Sequence, residues 1–184
     1  MDANLFNQAA LLSAGPLIVA AMISDVRRRR IPNGLVLSLL VVGTCGTLLA
    51  GGWGGFGRGL LGVLLGFFLL LPLYALGAMG TGDVKLLAVM GMWLGVRGTL
   101  WAFGIAALIG LIPALVSVLR TRNTSPAFAQ LWVVLTKLTG RRLRPADLVA
   151  VEGAVSHRTF PYGVYLGLGG LLVLSSRAFT DLGV

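Results

Sequence analysis

Residues 59–95 read GLLGVLLGFFLLLPLYALGAMGTGDVKLLAVMGMWLG, two apolar runs parted by the heptapeptide MGTGDVK at 79–85. An aspartate and a lysine are costly between two such runs, because a charge at the centre of a bilayer helix costs at least about 2.5 kcal/mol. Either the heptapeptide lies outside the hydrocarbon or its carboxylate has work to do. Both are expected to hold.

The surrounding chain has the composition of a membrane protein. Of its 184 residues 57% are hydrophobic and 11% charged, and the mean hydropathy is +0.91. Soluble domains carry about 25% charged residues. The net charge of +9 would suit nucleic acid only on a soluble fold with a basic face. In a chain of apolar spans it reads as topogenic charge, and no nucleic-acid partner is expected. The single cysteine, Cys45, lies in an apolar run, which excludes a disulfide framework and a zinc site. No metal or cofactor is expected.

About six spans follow: 5–23, 34–50, 59–79, about 84–96, 98–119 and about 161–176. The fourth has only about thirteen apolar residues, below the usual spanning length. It is either a short span shielded by its neighbours or a re-entrant piece. No Lys or Arg precedes the first span, whereas Arg27, Arg28, Arg29 and Arg30 follow it. That order is the reverse of a secretory signal and places the N-terminus outside. Six crossings then put twelve basic residues on the cytoplasmic side, with Arg58, Arg97 and Arg177 outside. The expected fold is an all-α, polytopic bundle forming one integral-membrane domain over 1–184. Its cytoplasmic loops are expected at about 24–33, 80–83 and 120–160, and its location is the bacterial inner membrane.

The acids sort on the same frame. Asp2 and Asp181 fall in the tails, and Asp147 and Glu152 in the long polar loop. Only Asp25 and Asp83 sit at helix ends where membrane meets cytoplasm. Two crossings separate them, so both reach the same face. Two carboxylates held close together share a proton and titrate as a unit. One can act as general base on a water while the other, protonated, donates to a carbonyl oxygen. Gly80 and Gly82 allow positive φ and the close approach of a strand-like substrate. Asp83 is also placed to cap the following helix.

These residues carry a resemblance. GTGDVK resembles the GxGD signature of intramembrane aspartyl proteases, and SDVRRRRIPN at 24–33 is similar to the stretch around the first catalytic aspartate of type IV prepilin peptidases. PYGVYLGLGG at 161–170 resembles the proline-glycine motif that opens the last helix in that family. The resemblance implies that Asp25 and Asp83 are a catalytic pair and that the enzyme removes a short basic leader, after a glycine, from prepilins or pseudopilins at the cytoplasmic membrane face. It also makes Gly80, Gly82, Lys85, Pro32, Asn33, Pro161 and Gly163 candidates for substrate contact. Larger family members carry a cytoplasmic domain with paired CxxC motifs and methylate the new N-terminus. With one cysteine and about ten residues between the first two spans, methyltransferase activity is not expected. The compact form looks like the peptidases of tight-adherence (Flp-type) pili, with archaeal preflagellin peptidases a near alternative.

Plainer readings stand beside these. Asp25 next to four arginines is also what a solvated ion pair at a helix end looks like. Lys85 is expected to face away from Asp83, as a snorkelling anchor or a substrate-side contact. Pro32 and Asn33 set the start of the second helix, Asn33 through a side-chain cap. His157 reads as solvated in its loop. The pairs Gly62/Gly66, Gly91/Gly95 and Gly163/Gly167 have the spacing that lets helices approach closely. GGWGGFG at 51–57 reads as a flexible outer turn with Trp53 and Phe56 at the interface. AFAQLWVVLTKL at 127–138 reads as a helix on the inner surface, and Arg141, Arg142 and Arg144 as drawn to anionic lipid. The rival function is a non-catalytic transporter or pilus-assembly scaffold whose aspartates bind a cation or proton.

Overall fold

The computed structural model describes residues 3–28, 30–75, 79–120 and 162–180, and every element in them is helical. The expectations for Arg29, Pro161, His157, the 127–138 helix and the Arg141–Arg144 cluster lie outside the described residues. Four helices follow in order: α1 (Ala3–Arg28), α2 (Asn33–Ala75), α3 (Thr81–Arg120) and α4 (Tyr162–Thr180). Segments Ala10–Arg28, Asn33–Ala75 and Thr81–Pro113 are each long and apolar enough to cross a membrane. The exterior carries the lipid-facing side chains such a bundle needs, among them Leu49, Trp101, Leu108 and Ile112, all more than 60% exposed.

α2 and α3 are hairpins. Gly52 (φ 55°) breaks α2 and Gly95 (φ 60°) breaks α3, each a single left-handed residue that only glycine adopts without strain. Contacts establish the fold-back. Trp93 Nε1 donates to Leu39 O at 3.1 Å from one arm of α2, while Gly59 and Gly62 on the other arm meet Met92 and Gly91. The two arms of α3 both reach α4, through Met90 against Gly170 and through Ala102 against Gly169. The expected turn over 51–57 is thus one residue, because helical backbone runs up to Gly52 on both sides. α2 also ends at Ala75, short of the expected 79, a few residues after Pro72.

The first arm of α3, residues 81–94, is the core. Leu86, Leu87, Met90 and Leu94 are at most 1% exposed. Fourteen helical residues rise only about 21 Å, against a hydrocarbon thickness of about 30 Å. Both arms of α2, and α4 beyond, shield it from lipid. The neighbours that the shielded short-span reading requires surround this segment.

Lipid tails are as apolar as leucine, so close backbone approach has to hold such a bundle together. Gly62 and Gly91 supply it: a Cβ on either would run into the other's carbonyl oxygen. Gly66 does the same against Leu87 and Ala88, and Gly167 admits Met22 from α1. Gly43 has another use. Its missing Cβ leaves room for the Trp93 indole, 2.8 Å from where that carbon would be, to reach the Leu39 carbonyl.

Candidate active site

α1 continues past Asp25 to Arg28, so residues 24–28 are helix and the expected loop over 24–33 shrinks to the residues after Arg28. Arg27 and Arg28 in the last turn favour this extension, since cations there complement the helix dipole. Ser24 Oγ donates to Arg30 O at 2.9 Å and ties the exit. Ile31 then turns inward and is buried. The Pro32 carbonyl accepts from Leu35 N at 3.1 Å and Val36 N at 3.4 Å, which makes Pro32 the cap of α2.

Asn33 is therefore the first helical residue and does not cap α2 with its side chain. Its Oδ1 accepts a hydrogen bond from Lys85 Nζ at 3.2 Å. That bond ties the start of α2 to the start of α3, 52 residues on. Lys85 is exposed while Asp83 is buried, so the two face apart as expected. The Asn33–Lys85 pair is exposed, and such contacts are worth little. Lys85→Met is expected to lower Tm by no more than about 4 °C, read by thermal unfolding in detergent.

Asp83 occupies the third helical position of α3. Gly80 N donates to Asp83 Oδ2 at 3.3 Å, so Asp83 reaches back to satisfy the capping residue, one half of a capping box. The expectation of positive φ at Gly80 and Gly82 is not met: among the described residues the positive-φ glycines are Gly52 and Gly95. Gly82 is inside the helix, and Ile31 packs on it, with Cγ1 3.4 Å from where a Cβ would stand.

The two carboxylates meet at the start of α4. Asp25 and Asp83 are each 7% exposed, and a Cβ on Gly163 would lie 2.7 Å from Asp25 Oδ2 and 3.3 Å from Asp83 Oδ1. One point thus touches both acids, and their oxygens are no further apart than those two distances laid end to end. The backbone N–H of Gly163 faces both groups. Asp25 Oδ2 is buried without a hydrogen-bond donor, whereas Arg27, Arg28 and Arg30 are exposed. A buried acid beside exposed Arg27, Arg28 and Arg30 is not a solvated ion pair with those three. A buried acceptor facing a second carboxylate is satisfied when one proton is held between them.

Tyr162 is a neighbour the sequence reading missed. It is half-buried beside Asp83 and packs edge-to-face on Tyr165, ring centroids 6.3 Å apart. The available signal was its position between Pro161 and Gly163 in the quoted motif. Of the candidate contact residues, Gly163 and Gly80 touch the acid pair, while Gly82, Pro32, Asn33 and Lys85 build the surrounding frame.

A profile of the type IV leader peptidase family matches residues 12–115, more than half of the chain and a stretch that holds both aspartates. The chain belongs to the type IV leader peptidase family. Two curated members of similar sequence are each named prepilin leader peptidase/N-methyltransferase. The one from Bacillus subtilis (strain 168) is 33% identical over 110 residues, which is 58% of this chain and 43% of that protein. The one from Aeromonas salmonicida (strain A449) is 34% identical over 111 residues, which is 56% of this chain and 38% of that protein. The chain thus spans less than half the length of the curated relatives it matches. No solved structure matches it. The family profile ends before α4, so the placing of Gly163 against the two acids rests on the geometry above.

Proposed function

We propose that this leader peptidase is a membrane-embedded aspartic endopeptidase that removes the short basic leader from type IV prepilins of the Flp-like kind, or from pseudopilins. Asp25 and Asp83 are its catalytic pair. The single observation that carries the reading is the burial of both carboxylates against one glycine, at the ends of three different helices. Topology follows from charge: Arg27, Arg28, Arg30 and Lys85 lie at the aspartate end, which makes that end cytoplasmic and the protein a multi-pass resident of the bacterial inner membrane.

The chemistry needs one proton shared by two acids. The ionised carboxylate takes a proton from water as its oxygen attacks the scissile carbonyl carbon. The protonated partner donates to the carbonyl oxygen, giving a neutral gem-diol. The newly protonated carboxyl then gives its proton to the leaving nitrogen while the other carboxylate takes one from a gem-diol hydroxyl; the C–N bond breaks, a carboxylic acid and an amine leave, and the pair again holds one proton. A leader glycine suits this site, because a residue without a side chain admits two carboxylates to its carbonyl. The reading does not extend to the N-methyltransferase activity in the relatives' names. Only residues 29–32 join α1 to α2, leaving no place there for a cysteine-rich insert, and Cys45 lies within α2.

Co-expression with a candidate prepilin, followed by gel shift, tests the assignment. Leader loss with the wild type and none with the Asp25→Asn/Asp83→Asn double variant is expected. Leader loss that persists in the double variant would leave the transporter or scaffold reading. Gly163→Ala probes the geometry independently. Its Cβ would press on the Asp25 carboxylate at 2.7 Å and 3.0 Å, and processing is expected to fall by about 100-fold, as small misplacements at a reacting centre do. Gly82→Ala meets only ordinary contact with Ile31, so a loss there equal to that of Gly163→Ala would count against the site.

A further inference from the structure

A cavity of about 650 Å³ opens at the other end of the bundle from the aspartates, between the Gly52 and Gly95 turns. Its walls include Arg58, Arg97, Thr47 and Trp93, and its rim carries Leu61 and Val96. Leu61 is 57% exposed and Val96 39%. Arg58 Nε donates to Gly54 O at 3.3 Å, and its Nη2 lies 3.6 Å from where a Cβ on Gly51 would be. That bond anchors the guanidinium of a residue that lines the cavity, and a guanidinium carries four further N–H donors beyond Nε. The acids among the described residues, Asp25 and Asp83, lie at the other end and neutralise neither arginine.

We propose that this cavity binds the phosphate headgroup of an anionic phospholipid, with Arg58 and Arg97 on the phosphate and the acyl chains lying along Leu61 and Val96. The volume is within the range of small-ligand sites, about 300–1,000 Å³. Planar guanidinium forks match phosphate oxygens in pairs. The apolar, lipid-facing rim selects a phospholipid over free phosphate, because a soluble anion would leave Leu61 and Val96 without a partner. Trp53, 83% exposed beside the Gly52 turn, is the amphipathic ring expected at headgroup depth.

The test uses the full chain purified in detergent, with native mass spectrometry and thermal unfolding as readouts. Short-chain phosphatidylglycerol, phosphatidylcholine and inorganic phosphate are the probes. Wild type is expected to retain phosphatidylglycerol and to melt higher in its presence. Arg58→Gln/Arg97→Gln should weaken that retention by at least about ten-fold, and Arg58→Lys/Arg97→Lys should recover part of it. Leader processing by the Gln variant should be unchanged, which certifies its fold. Equal retention by wild type and the Gln variant overturns the proposal. So does equal retention of phosphatidylcholine and phosphatidylglycerol by wild type, or a rise in Tm with inorganic phosphate alone.

Discussion

Asp25→Asn and Asp83→Asn are each expected to stop leader removal, by about 10³-fold or more, while the folded protein still accumulates. Asparagine keeps the shape of the side chain but neither takes a proton from water nor gives one to a carbonyl. On the proposed shared-proton chemistry, the double variant should be no worse than either single one. Stability should move the other way. Two buried carboxylates that share the Gly163 N–H, with only the Gly80 N–H added on Asp83, are poorly solvated, and neutralising one relieves that burden. Tm of each single variant is therefore expected to equal or exceed that of wild type. Wild-type activity should fall at both low and high pH, since two protons on the pair leave no base and none leaves no acid. Activity that survives in one single variant would assign the chemistry to the other aspartate alone.

Gly91→Leu should have the largest effect on the fold. A Cβ at Gly91 meets the backbone of Gly62 and Val63, and no rotamer change moves backbone out of the way. Overpacking a core costs about 1–3 kcal/mol where side chains can shift, and here the helices themselves must separate. With total stabilities of about 5–15 kcal/mol, loss of folded protein from the membrane fraction is expected. Gly104→Ala is the matched control. Nothing lies within 4 Å of its Cβ position, and alanine is the better helix former by about 1 kcal/mol. If both variants accumulate equally, close approach of α2 and α3 is not what holds the bundle.

What the sequence made legible is what depends on counting along the chain. The even number of crossings expected between Asp25 and Asp83 puts them at one end, and the structure places both against Gly163. Glycine spacing marked Gly62 and Gly91 as places of close helix approach, though not as partners of each other, which the structure makes them. What depends on how elements meet was hidden. Asn33 reads as a cap because caps are local, yet its oxygen is taken by Lys85 from another helix. Gly80 and Gly82 suggest an irregular loop, but Asp83 itself nucleates α3 by reaching back to Gly80. The arginines after Asp25 look like a loop signal and instead lengthen α1, because they suit the end of a helix. Tyr162 had no period or charge to mark it.

The single-residue bends at Gly52 and Gly95 bear on how the protein is made. With no polar linker between paired arms, neither arm has spare chain for a path of its own, so the two arms of each pair are expected to insert as a unit. For the same reason those bends are poor places for an epitope or a fluorescent fusion: a foreign segment there would have to prise apart helices that part only at one glycine.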